Sequence, residues 1–185
     1  MTTLILARHG ETDWNRDGRF QGHADPPLND RGREQARALA DAVAGERIEA
    51  VYASDLRRAH ETAQIVAARR GLDVVVDPDL RERDVGEWSG LTIREIEDRF
   101  PDELRRFREK GASIGESREA LSERVVAAVR RIAEAHPRGH VLVVTHGGAL
   151  RALRHAAGGD LGAPVVRNGQ VLKMAIRDST FARLD

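Results

Sequence analysis

The chain has 185 residues, enough for one well-buried domain and short for two. It is 41% hydrophobic and 32% charged, with basic and acidic residues balanced to a formal net charge of zero; this excludes a disordered chain and argues against a nucleic-acid partner. Cysteine is absent, which excludes disulfides, a thiol nucleophile and thiolate metal sites. No apolar run is long enough to span a bilayer, and no basic segment leads into an apolar core at the N-terminus, so the expectation is a cytoplasmic protein with no membrane partner. Lys110 and Lys173 are the only lysines. An excess of arginine suits phosphate chemistry, although a GC-rich genome produces the same bias.

In chain order, Thr3 to Ala7 reads as a short buried strand that runs into Arg8, His9 and a glycine break at Gly10. A polar, glycine-rich stretch follows to about Asp30, too irregular for a helix and long enough to suggest function. From Arg33 an apolar stripe, Ala36, Leu39, Ala40 and Val43, predicts a helix ending near Gly45, with Asn29 and Asp30 as caps. Ala50 to Ala53 is a second strand; Ser54 and Asp55 are placed to cap a helix to about Arg70, and Asp73 to Val76 is a third, β-branched strand. Asp79 to Gly90 is loop-like. Thr92 to Lys110 gives two charged helices divided at Pro101, and Ser117 opens the longest helix, on the repeat Leu121, Val125, Val129 and Ile132. His140 to Thr145 is a further strand, followed by a helix from Gly147 to Ala157. Asn168-Gly169, between Pro164-Val165-Val166 and Val171-Leu172, reads as a hairpin at a sheet edge. Strands alternating with helices predict a three-layer α/β/α sandwich, mostly parallel with an antiparallel edge strand, in one domain over residues 1–185.

His9 and His146 both stand at the carboxyl ends of predicted strands, where open α/β sheets bind ligands. Each adjoins glycine, and His9 adjoins Arg8. Two such histidines can face one another across one pocket, whereas either alone could merely cap its strand.

The residues that carry a family resemblance are Arg8-His9-Gly10-Glu11-Thr12, Trp14-Asn15, Phe20-Gln21-Gly22, Pro27-Leu28, Ser54-Asp55-Leu56-Arg57-Arg58-Ala59, Leu80-Arg81-Glu82, Gly86-Glu87-Trp88-Ser89-Gly90 and Thr145-His146-Gly147-Gly148. In this order the chain resembles the histidine phosphatase superfamily, also called phosphoglycerate mutase-like. The resemblance implies the same sandwich fold and a phosphohistidine mechanism. It makes His9 the nucleophile, Arg8 and Arg58 the phosphate clamps, His146 a donor to the transferring oxygens and Glu82 the acid/base. Asn15, Gln21, Gly22 and the Gly147 N–H complete the phosphate site by the same resemblance. It further implies a small-molecule phosphomonoester as substrate, with neither cofactor nor metal. The enzyme is expected to be a monomer or homodimer.

Phosphatase and mutase share this chemistry. The resemblance favours the phosphatase branch, because the longer insertion after the acid/base glutamate and the extra C-terminal tail of family mutases are missing. His23 also stands where their pattern has tryptophan. Arg83 keeps a position at which mutases hold a substrate carboxylate, so a mutase is the alternative; a non-catalytic phosphate-binding module is the third reading. If the helices after Gly90 form a lid, Arg83 with Arg105, Arg106, Arg108 and Lys110 would read a second anionic group. Trp88 is expected beneath the Glu82 loop and Trp14 as a wall of the pocket. Gly115-Glu116-Ser117 resembles a family motif that helps close the site, and Ser117 serves equally as a helix cap.

Overall fold

The first strand, β1 (Thr2–Arg8), is apolar and wholly buried from Leu4 to Ala7, so both of its faces must be covered. In the computed structural model, which describes residues 1–110, 114–160, 166–177 and 180–184, it lies inside a six-stranded sheet. Beside it runs β4 (His140–Thr145), parallel and equally buried; beyond β4 come β2 (Ile48–Ala53) and β3 (Val74–Val76), also parallel. On the other side β5 (Val171–Arg177) pairs antiparallel with β1, and β6 (Thr180–Leu184) antiparallel with β5. The strand order is β3-β2-β4-β1-β5-β6.

Side chains of the central strands alternate between two cores, as strand geometry requires. Leu4, Leu6, Val141 and Val143 meet α6 (Arg118–Ala135) and α7 (Gly147–Ala156) through Leu121, Val125, Leu150 and Leu153. Ile5, Ala7, Leu142 and Val144 meet α2 (Asp30–Ala42) and α3 (Arg57–Ala68) through Leu39, Ala63 and Val66. These are the three expected layers. A smaller third cluster, Val85, Trp88, Ile96 and Leu104, joins the 79–90 segment to α4 (Ile93–Arg99) and α5 (Pro101–Lys110). Trp88 lies within it, fully buried, as its expected place under the Glu82 loop requires. Among the described residues no helix is long and apolar enough to cross a membrane.

Some elements depart from the expectations and others meet them, each for a physical reason. The stretch after Gly10 contains a short helix, α1 (Asp13–Arg16), because Thr12 and Asn15 form a reciprocal capping box. Helix α2 begins at Asp30 rather than Arg33, capped by Asn29, whose Oδ1 accepts from Gly32 N at 2.8 Å. Neither Ser54 nor Asp55 is the N-cap residue of α3, which is Leu56. Asp25, far back in the chain, accepts from Arg57 N at 2.6 Å, while Asp55 is paired with Arg81. Asn168-Gly169 turns into β5 without a strand before it at Val166; at the sheet edge β5 pairs antiparallel with β6, and Pro164 and Val165 lie outside the described residues. Ser117 caps α6 by accepting from Ala120 N at 3.0 Å.

Candidate active site

Strand register creates the site. Arg8 is paired with Thr145 across β1 and β4, so the next residues, His9 and His146, leave adjacent parallel strands together. His9 N donates to Thr145 O at 3.0 Å, and the two rings lie with centroids 5.1 Å apart. His9 is 3% exposed and His146 is fully buried. His9 lines a cleft of about 760 Å³ whose wall includes Arg8, Asn15, Arg58, Glu82 and Gly147, and His146 is buried directly beside it.

The His9 ring has a defined tautomer. Nδ1 lies 2.6 Å from Gly10 O, which can only accept, so Nδ1 carries the hydrogen and Nε2 keeps its lone pair. Burial holds the pKa of His9 well below the usual imidazole range, and the charges of Arg58 and Arg8 push it the same way. His146 is depressed by the same burial, then by Arg58, His9 and Arg8. Neither nitrogen of His146 has a protein partner.

Two guanidiniums border this pair. Arg58, 1% exposed on the first turn of α3, donates through Nη1 to Ala24 O at 2.7 Å and through Nη2 to Gly22 O at 2.9 Å. Burial lowers its pKa to about 10. Arg8 donates through Nη1 to Val166 O at 3.0 Å. In both arginines the buried Nε–H lacks a partner. Orphaned donors on buried cations next to unpartnered imidazole nitrogens are costly unless an anion completes them.

The expected accessory residues occupy the same cleft in distinct ways. Asn15 Oδ1 accepts from Thr12 N and Oγ1 at 3.2 Å and from Asn168 Nδ2 at 3.3 Å, so its amide NH₂ is the half left for a ligand. Gln21 is orientated likewise, its Oε1 accepting from Thr12 Oγ1 at 3.1 Å. Gly22 contributes its carbonyl to Arg58. Gly147 opens α7, where the first N–H groups have no intrahelical partner and suit an anion. Glu82 stands opposite, half-buried, with Oε1 accepting from Arg83 N at 2.8 Å and Oε2 from Gly148 N at 3.0 Å. The backbone around His9 is clamped: a methyl group at Gly10 would lie 2.3 Å from Gly32 O, so only glycine permits α2 to approach so closely.

Some contributors carried no readable signal. Asn168, read as a turn residue, donates to His9 O at 2.9 Å as well as to Asn15. Thr62 accepts from Gly10 N at 3.0 Å and donates to Arg58 O, tying α3 to the His9 turn. Of the cations expected at a lid, Arg83 lines the cleft, whereas Arg105 and Arg108 are exposed and paired with Asp102 and Glu97 and Arg106 is exposed; the Lys110 side chain lies outside the described residues. Helix α5 presents Phe107 to the cleft instead, with the guanidinium carbons of Arg83 and Arg118 each 5.6 Å from its ring centroid. Trp14 lies against Gly90 and is not part of the cleft. Among the described residues no group of three or more His, Cys, Asp or Glu side chains could hold a metal ion.

The chain is similar to known proteins over most of its length. Residues 4–182 match the family model of the histidine phosphatase superfamily (branch 1). Phosphoglycerate mutase-like protein 4 of Arabidopsis thaliana is 42% identical over 161 residues, covering 83% of this chain and 70% of that protein. Phosphoserine phosphatase 1 of Hydrogenobacter thermophilus is 35% identical over 157 residues, covering 83% of this chain and 74% of its own. Among solved structures, Bacillus stearothermophilus YhfR superposes with a TM-score of 0.90 at 33% identity, over 99% of this chain and 95% of that one.

Proposed function

Because the chain belongs to branch 1 of the histidine phosphatase superfamily, we propose that it is a metal-independent phosphomonoesterase that hydrolyses a small phosphorylated metabolite through a phosphohistidine at His9. The observation that carries this reading is the buried His9–His146 pair, with ring centroids 5.1 Å apart, flanked by two arginines whose Nε–H groups lack partners. Phosphoryl transfer asks for anion-stabilising donors around phosphorus and a nucleophile in line with the leaving oxygen. Arg8, Arg58, Asn15, Gln21, His146 and the Gly147 N–H supply the donors, and Gly22 holds Arg58 in place. His9 Nε2 supplies the lone pair.

In the first step Nε2 attacks phosphorus, the ester P–O bond breaks, and Glu82 gives its proton to the leaving oxygen. In the second, water attacks the phosphohistidine, Glu82 takes its proton, the P–N bond breaks and His9 returns to its starting tautomer. Hydrolysis is preferred to mutase chemistry because relatives such as the glucosyl-3-phosphoglycerate phosphatase of Mycobacterium tuberculosis are phosphatases by name. The phosphoserine phosphatase among the relatives supports the same choice.

Trapping the intermediate tests the reading. Enzyme quenched during turnover of a labelled aryl phosphate should carry acid-labile, alkali-stable label. Replacing His9 by alanine should abolish both label and turnover. Glu82→Gln should accumulate label, since an aryl leaving group hardly needs a proton while the attacking water still needs a base. Equal labelling of the two variants, or label on a serine, would remove the mechanism.

A further inference from the structure

The Glu82 carboxyl sits on a segment, residues 79–85, that has no place in the sheet, so its position has to be set by other contacts. Thr145 Oγ1 of β4 donates to Leu80 O at 2.7 Å, and a larger set of contacts comes from a residue outside the cleft. Arg124 of α6 donates through Nη1 to Asp79 O at 2.8 Å and Arg81 O at 3.2 Å, and through Nη2 to Glu82 O at 3.4 Å. The same guanidinium grips both carboxylate oxygens of Glu116, at 2.9 Å from Nε and 2.7 Å from Nη2. Glu116 closes the circuit, since its N–H donates to Asp84 O at 3.0 Å and its Oε2 accepts from Asp84 N at 3.4 Å. Both side chains are mostly buried, 21% and 17% exposed. His23 Nε2 meets the Glu82 carbonyl from the other wall at 2.8 Å.

We infer that Arg124, oriented by Glu116, is a positioning residue that sets where the Glu82 carboxyl stands, an inference that rests on the acid/base reading of Glu82 given above. Arg124 does not line the cleft, so it acts through the backbone it holds and not on the substrate. Its planar fork spans three carbonyls and a carboxylate together, which the single ammonium of lysine cannot reproduce. Losing the fork frees the loop at the residue that carries the acid. Displacement of such a group by about 1 Å is enough to cost on the order of a hundredfold in rate. The damage should fall on the proton transfer, while phosphate binding, held by Arg8, Arg58 and His146 on other elements, stays intact.

The test compares kcat/KM for p-nitrophenyl phosphate, whose leaving group needs no proton, with that for an alkyl phosphate, whose leaving group does. Arg124→Lys should lower the alkyl value about a hundredfold and the aryl value by less than about threefold, with the inhibition constant of inorganic phosphate unchanged. Glu116→Gln, nearly isosteric and less disruptive to folding, should show the same selectivity in smaller measure and decides the matter if Arg124→Lys does not fold. Glu82→Gln on the same pair is the reference. If it discriminates between the substrates and the Arg124 and Glu116 variants do not, or if these lose both activities in equal proportion, the positioning role is refuted. If Glu82→Gln itself fails to discriminate, the acid/base reading falls and this inference falls with it.

Discussion

Replacing Gly148 by alanine should separate activity from stability. Gly148 is the second residue of α7, and its N–H donates to Glu82 Oε2 at 3.0 Å. A methyl carbon there would stand 2.2 Å from Glu82 Oε1 and 3.1 Å from its Cδ, well inside van der Waals contact. The obstructing atoms are the free end of a flexible, half-buried side chain, so the carboxyl swings away and the backbone need not move. That loses a charge-assisted hydrogen bond of about 1.5–3 kcal/mol, softened because the carboxyl can turn towards water. Alanine returns up to about 1 kcal/mol of helix propensity. The net change is about 1 kcal/mol, or a fall in Tm of roughly 2–4 °C for a chain of this size. Activity should respond far more: with Glu82 displaced by more than about 1 Å, turnover of an alkyl phosphate should fall on the order of a hundredfold. Thermal denaturation and steady-state kinetics on the same preparation give both quantities. Full activity, or a Tm loss above about 10 °C, would show that the geometry around Glu82 has been misjudged.

Acid should destabilise the fold through its two site histidines. Both are held neutral by burial and neighbouring arginines, so below about pH 6.5 the unfolded chain binds protons that the folded one refuses, and stability falls as pH drops. Each such histidine adds a slope of about 1.4 kcal/mol per pH unit while it remains neutral; urea titrations between pH 7 and 5 should show a shallower slope in His146→Gln, and an unchanged slope would contradict the assignment. Hydrolysis of an aryl phosphate should survive EDTA and be inhibited competitively by vanadate; loss on chelation, restored by a divalent ion, would point to a metal and away from His9.

Features set by local rules were legible in the sequence, and features set by distant contacts were not. The buried runs Leu4 to Ala7 and Val141 to Val144 announced two buried strands, and from these the meeting of His9 with His146 could be foreseen; that the strands are neighbours came only with their register. The resemblance of short motifs brought Arg58 and Glu82 to the same cleft, and both line it. The cap of α3 could not be read, because Asp25 supplies it from 32 residues away. Arg124 carried no readable sign, since nothing local marks a side chain that reaches carbonyls as far as 45 residues back. Helix α5 shows how a run of charges misleads. Its arginines dominate the sequence, yet packing against Trp88 at 5.2 Å turns Phe107 inward and leaves Arg105 and Arg108 with surface partners. The capping box at Thr12 and Asn15 did have a local pattern; the glycines and charges around it obscured a helix of only 4 residues.

The β1–β4 register has a mechanical consequence. His9 and His146 are extensions of the two most deeply buried strands, so their spacing can change only if the centre of the sheet comes apart. Amide exchange at these residues should therefore follow global unfolding, whereas that of residues 81–84 should follow a smaller, local opening. On the proposed mechanism, the molecule would join a half that holds phosphorus with the rigidity of the core to a half that delivers the proton from a segment outside the sheet. Mutation could then reshape the second without disturbing the first, so that the same phosphate socket would serve different alcohols.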